Sequence, residues 1–108
     1  MKIFISQPMK GLSDEEILIV REQAIEEIKI KYQFFDRNNE LEIISTFEVS
    51  DEENIPEGVN RLWWLGRALQ MLSYCDKIYM CKGWENSSGC KIEKAAAVEY
   101  NIGIDYQK

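Results

Sequence analysis

The chain has no histidine, and that absence narrows its chemistry. Ser-His-Asp and Cys-His catalysis, His-ligated metal centres and histidine pH switches are excluded. Acid–base or nucleophilic work falls to carboxylates, Lys, Tyr, Cys or bound water. Cysteine is scarce: Cys75, Cys81 and Cys90 are an odd number without a C-x-x-C pair. That spacing suggests neither a disulfide framework nor a zinc site. Three thiols suit a reducing cytosol, so a cytoplasmic protein without metal is expected. No apolar run approaches the roughly 20 residues of a membrane span. The N-terminal stretch is too short in apolar residues for a signal peptide. Positive charge is in the minority, with 13 Lys and Arg against 19 Asp and Glu, a net charge of −6 and a pI near 4.7. Such a surface repels a polyanion on average, which argues against nucleic acid as a partner. A small anionic ligand at a local site remains compatible with it.

What is present suffices for a core: 108 residues, 45% of them apolar, with 4 Phe, 3 Trp and 5 Tyr. A single domain over 1–108 is expected at this length. Residues 2–6 (KIFIS) read as a buried strand, broken at Pro8 and Gly11. Ser13, with Glu16 three residues on, has the form of a capping box. It opens a helix to about Lys31 with Ile17, Val20, Ala24, Ile25 and Ile28 on one face. Residues 32–40 are turn-like at their Asp36-Arg37-Asn38-Asn39 end, 41–47 (LEIISTF) read as a second strand, and 48–59 as an acidic, solvated loop. A second helix, capped by Asn60 and ending near Tyr74, would place Leu62, Leu65, Leu69 and Leu72 on its core face. Residues 76–82 read as a third strand, 83–89 as a polar loop, about 88–101 as a third helix and 102–106 as a last strand. The order β-α-β-α-β-α-β predicts an α/β fold, a three-layer sandwich around a four-stranded, mostly parallel sheet of Rossmann-like or flavodoxin-like type.

In such sheets ligands sit outside the carboxyl ends of the strands, near the reversal in strand order. Two connections stand out there. The first holds Ser6, Gln7, Pro8, Met9, Lys10 and Gly11, a hydroxyl, a cation and backbone N–H groups that could meet a phosphate or carboxylate. It follows no standard nucleotide-loop pattern, and a tight connection needing Pro and Gly only for shape would look the same. The second runs from Gly83 and Trp84 to Ser87, Ser88 and Gly89, at a helix start where orphan N–H groups attract anions. Glu93 lies about one turn in, with the small Ala97 four residues beyond. A carboxylate near a helix N-terminus is expected to stay ionised. It could attack or shield an anomeric carbon, or merely favour the helix dipole. Trp84 suits stacking on a base or sugar and equally a lid on the core. Trp63 and Trp64 are adjacent on a helix, so at most one faces the core squarely, and the other suggests a dimer contact or cleft wall. Cys81 and Cys90 lack an apparent base and read as inert thiols, and Asp76 reads as structural.

Residues 2–17 (KIFISQPMKGLSDEEI) and 82–100 (KGWENSSGCKIEKAAAVEY), with the Trp63-Trp64-Leu65-Gly66 segment between them, resemble nucleoside 2-deoxyribosyltransferase-like proteins, in particular a branch of small bacterial and phage sequences. The resemblance spans almost the whole chain. It implies chemistry at a nucleoside or nucleotide N-glycosidic bond, without a cofactor, in a homodimer or higher homo-oligomer. In the transferases and the related nucleotide N-glycosidases a Glu opening an E-x-x-x-A helix is the nucleophile on the sugar. Glu93 and Ala97 match it, and Gly89 matches the glycine four residues before. Ser87 matches the phosphate-contacting serine of the hydrolysing relatives, where the transferases carry an aspartate. By this resemblance Ser6, Gln7, Met9, Lys10, Gly11, Gly83, Trp84, Ser87, Ser88 and Gly89 would bind substrate around Glu93. Two other readings use the same chain: a module that binds a nucleotide, cyclic nucleotide or NAD-derived signal without turnover, and a dimeric scaffold with an idle cleft.

Overall fold

β1 (Lys2–Ser6) is buried along nearly its whole length, from Ile3 to Ser6. A strand buried on both faces belongs in the middle of a covered sheet, and β1 lies there. The computed structural model describes residues 1–45, 57–58 and 61–108. β2 (Glu42–Ile44), β3 (Lys77–Met80) and β4 (Gly103–Tyr106) complete one sheet in the order β2-β1-β3-β4. All three pairings are parallel. The chain steps outward from β1 to β2, then crosses back to β3 and on to β4. The strand order therefore reverses between β1 and β3, whose register pairs Ser6 with Met80.

Alternation along β1 separates two cores. Ile3 and Ile5 meet Ala24 and Ile28 of α1 (Asp14–Lys31), together with Tyr79 and Cys81. Phe4 meets Ala68 and Leu72 of α3 (Arg61–Leu72) and Cys90 and Ala97 of α4 (Ser88–Glu99), together with Ile78 and Met80. Helices thus cover both faces, giving the three-layer α/β sandwich with an all-parallel sheet. Each fully buried aliphatic or aromatic side chain contributes about 1.5–3 kcal/mol, so Phe4→Ala would cost about 3–5 kcal/mol with its cavity. Ser13 caps α1 as expected, its Oγ accepting from the Glu16 backbone N–H at 3.1 Å, while Glu16 Oε1 meets the Ser13 hydroxyl at 3.1 Å in place of the backbone N–H of a full capping box.

The structure corrects several details. Asp36 and Arg37 are not turn but end a short helix, α2 (Gln33–Arg37), because Tyr32 both ends α1 and starts the next turn. An Arg37–Gln33 side-chain bond of 2.9 Å spans it, and the chain turns only beyond, where Asn39 has φ 56°. Leu62 is 67% exposed, because Ala68 and Leu72 face the sheet and carry the core side of α3. The second strand is shorter than expected, and residues 46–47, most of 48–59 and the Asn60 cap lie outside the described residues. α4 stops at Glu99, where a left-handed Asn101 (φ 58°) turns the chain into β4.

Candidate functional site

The order reversal brings the end of β1 beside the helix that follows β3. Ser6 is the last residue of β1 and, like Phe4, faces α4. Its hydroxyl donates to Glu93 Oε1 at 2.6 Å across 87 residues of sequence. Glu93 is on the second turn of α4 and only 8% exposed. Oε2 accepts no bond from a described residue. Ser87 caps the helix, its Oγ accepting from the Cys90 N–H at 3.3 Å. Cys90 lies between the two serines and the carboxyl. Burial pushes its thiol up, hydrogen bonds with Ser6 and Ser87 act the other way, and the charge of Glu93 raises it.

The electrostatics overturn the expectation of an ionised Glu93. Burial pushes its carboxyl from the usual 4.5 up to about 7, although the Ser6 hydroxyl opposes the shift. Desolvation wins because the dipole's influence fades beyond the first helical turn, and Glu93 is in the second. A single neutral hydroxyl cannot replace the water lost from a carboxylate. Near neutral pH the group is divided between acid and base forms. Burial pushes the Cys81 thiol up to about 12 and the Cys75 thiol to about 11, which keeps both protonated near neutral pH.

The remaining candidates divide. Gly83 has φ +89°, which suits glycine, and a Cβ there would lie 3.6 Å from Pro8 Cγ, so the first and second connections touch. Trp84 starts a single 3₁₀ turn (Trp84–Asn86) and rests half-buried on the α3/α4 core, as a lid would. Lys94 Nζ sits 4.5 Å from its ring centroid and 5.8 Å from that of Tyr106, a grouping with no signal in local spacing. Gln7 is buried but turned toward α1, where Nε2 donates to the Ile17 carbonyl at 2.6 Å, while Oε1 is buried without a partner. Met9 is half-buried, Lys10 and Gly11 are exposed, Ser88 is exposed and Gly89 half-buried. The structure therefore joins Ser6, Ser87, Cys90 and Glu93. It does not direct Gln7 to that group. Cys90, read from the sequence as an inert thiol near the cleft, is a member of the group; its place three residues before Glu93 puts it on the same helical face. Two surface depressions lie elsewhere, one of about 490 Å³ lined by Val20, Glu27 and Lys82 among others, one along the outer side of α1.

Asp76 is structural as expected, its Oδ2 accepting from the Lys2 N–H at 2.8 Å. Trp63 and Trp64 are both half-buried, their rings edge to face at 4.9 Å. No group of three or more His, Cys, Asp or Glu side chains among the described residues could hold a metal ion. No described helix is long and apolar enough to cross a membrane.

The parallel three-layer sheet with a buried carboxyl at its order reversal makes this an α/β protein of flavodoxin-like strand order. More particularly, residues 1–106 match the family model described as Domain of unknown function (DUF4406), and the chain belongs to that family. No curated protein and no solved structure matches the chain.

Proposed function

We propose that the protein acts on the N-glycosidic bond of a nucleoside or nucleotide, with Glu93 as the nucleophile. The observation that carries this reading is the Ser6–Glu93 contact of 2.6 Å, which sets a buried carboxyl at the order reversal of the sheet. The resemblance of residues 2–17 and 82–100 to nucleoside 2-deoxyribosyltransferase-like proteins supplies the reaction class. In this scheme a carboxylate oxygen of Glu93 bonds to C1′ as the C1′–N bond breaks. The electron pair leaves on the base nitrogen, which takes a proton from solvent. Water, or the nitrogen of a second base, then displaces the ester and frees the carboxylate. The N-terminus of α4 at Ser87, Ser88 and Gly89, with Lys10 and Gly11 of the first connection, would hold the 5′ end. Met9, Gly83 and Trp84 would form the remaining walls.

To test it, deoxynucleosides and their monophosphates are incubated with the protein and free base is measured. Release by the wild type and not by Glu93→Gln is expected; no Glu93-dependent release across the panel would sink the proposal.

A second reading, binding without turnover of a nucleotide, cyclic nucleotide or NAD-derived signal, is favoured by the near-complete burial of Glu93. A ligand that raises the melting temperature and is recovered intact would select it. We further read the protein as cytoplasmic and as a homodimer or higher homo-oligomer, with the Trp63–Trp64 pair near the contact. Light scattering on the purified chain decides the latter.

A further inference from the structure

We infer that Ser6 is a positioning residue for Glu93, and that its hydroxyl engages Oε1 so as to leave Oε2 as the reacting oxygen. The inference deepens the proposed N-glycosidic chemistry and rests on it, and it reassigns Ser6 from substrate binding to holding the nucleophile.

Three observations carry it. Ser6 is 1% exposed, so its side chain is closed off from a ligand in solution while it is held against α4. Its one hydroxyl hydrogen points to Glu93 Oε1 at 2.6 Å, so it has none left to donate to a phosphate oxygen. Oε2 accepts no bond from a described residue, so the two carboxylate oxygens are inequivalent. A hydroxyl that donates to one oxygen fixes the rotation of the carboxyl about its last bond and stabilises its ionised form. Both effects favour a nucleophile that must be charged and aimed.

Among the described residues Ser6 is the group that lowers the Glu93 carboxyl. Burial raises the Glu93 carboxyl, and the Ser6 bond is what lowers it. On α4 itself the Cys90 thiol stays protonated through burial, and Lys94 is turned to the Trp84 and Tyr106 rings. From α3, Arg67 bonds Gln70 at 3.4 Å, and on the 3₁₀ turn Glu85 is exposed. On the sheet, Tyr79 donates to Glu27 at 2.5 Å and Lys77 sits 3.8 Å from Asp105, which Lys31 also bonds. Cys81 interacts with Cys90.

The test compares wild type, Ser6→Ala, Ser6→Thr and Glu93→Gln by carbon NMR of the ¹³C-labelled glutamate carboxyls between pH 5 and 9. The Glu93 signal is assigned by its loss in Glu93→Gln. Its midpoint is expected to rise by about one unit in Ser6→Ala and to stay in place in Ser6→Thr, which keeps the hydroxyl. Should Ser6→Ala fail to fold, Ser6→Cys, with its weaker donor, is expected to shift it in the same direction. In the base-release assay Ser6→Ala is expected to lower kcat about ten-fold or more with KM unchanged, and to move the acid limb of the rate profile upward with the midpoint. An unmoved midpoint, or a raised KM specific to monophosphates with kcat intact, overturns the inference and returns Ser6 to the ligand. If the wild type releases no base, the proposed function falls, while the titration still decides whether Ser6 governs Glu93.

Discussion

Glu93 and Asp105 leave the same small share of their surface exposed, 8% each, yet Glu93 lies the deeper of the two and their carboxyls are displaced in opposite directions. Asp105 lies on β4, on the face that packs against α1. Burial disfavours its charge too, but a hydrogen bond from the Tyr32 hydroxyl, another from Lys31 at 2.9 Å and the charge of Lys77 at 3.8 Å together hold it below the usual carboxylate range. Glu93 has, among the described residues, one neutral hydroxyl as its partner, and burial prevails. Exposed surface alone therefore does not decide whether a carboxyl is charged; its depth and the partners brought to it do. The Asp105 cluster ties the end of α1 to an edge strand, and both its lysines also sit 5.7 Å from the Tyr32 ring. It is built to keep a charge fixed. The Glu93 site leaves its charge unsettled near neutrality, which is costly for stability and useful for chemistry.

The comparison breaks most visibly in activity. Glu93→Gln is expected to reduce base release by about 10³-fold or more, as loss of a nucleophile does. Asp105→Asn, once folded, is expected to retain most of it. Equal losses in the two variants would mean that Glu93 acts only through the fold. Stability should order them the other way. Asp105→Asn strands Tyr32 and two lysines, and because Lys31 is 55% and Lys77 31% exposed, solvent moderates the loss to about 1–3 kcal/mol. A lower urea midpoint with an unchanged slope at pH 7 is the expected reading.

The Glu93 contribution also has a definite pH sign. A carboxyl raised from 4.5 to about 7 on folding binds its proton more tightly in the native state. Its stabilising effect is complete below pH 4.5 and is lost as pH rises through about 7. Glu93→Gln, which keeps an oxygen to accept from Ser6, should match the wild type at pH 5. At pH 8 it should be more stable by on the order of 2–3 kcal/mol. Parallel stability curves for the two proteins from pH 5 to 8 would show that Glu93 is not desolvated.

These two carboxyls also mark how far the sequence could be read. The Ser13 capping box, the alternation of Ile3, Phe4 and Ile5, and the β-α order are local signals, and each produced the element it predicts. Glu93 stood out because its helix and its neighbours Gly89 and Ala97 are close in sequence. Its ionisation differs from the expectation because burial arises only in the folded chain, and its partner Ser6 lies 87 residues away. Leu62 was misplaced because a leucine-rich helix offers two apolar stripes, and only contact with Ile78 and Met80 selects the one through Ala68 and Leu72. Asp105, alone between Ile104 and Tyr106, gave the available hint of a polar group on a buried strand, but nothing local names Tyr32 as its partner.

The finest distinction concerns how many partners Asp105 needs. Tyr32→Phe removes one hydroxyl and leaves the ring beneath both lysines, so the cations remain in place. The hydroxyl also keeps its own proton, because burial and the bond to Asp105 push it up to about 12. The expected loss is about 1 kcal/mol at pH 7, one hydrogen bond to a charged group whose other partners persist. A depressed carboxyl contributes stability above its ordinary value of 3.8, and that contribution fades as pH falls through its lower folded value. The gap between Tyr32→Phe and wild type should therefore be full at pH 7 and narrow toward pH 3 in urea titrations. A gap that is constant with pH would assign the loss to packing and leave the lysines as the charges that hold Asp105 ionised. A gap that widens on acidification would reverse the contrast with Glu93, because Asp105 would then be the carboxyl that prefers its proton.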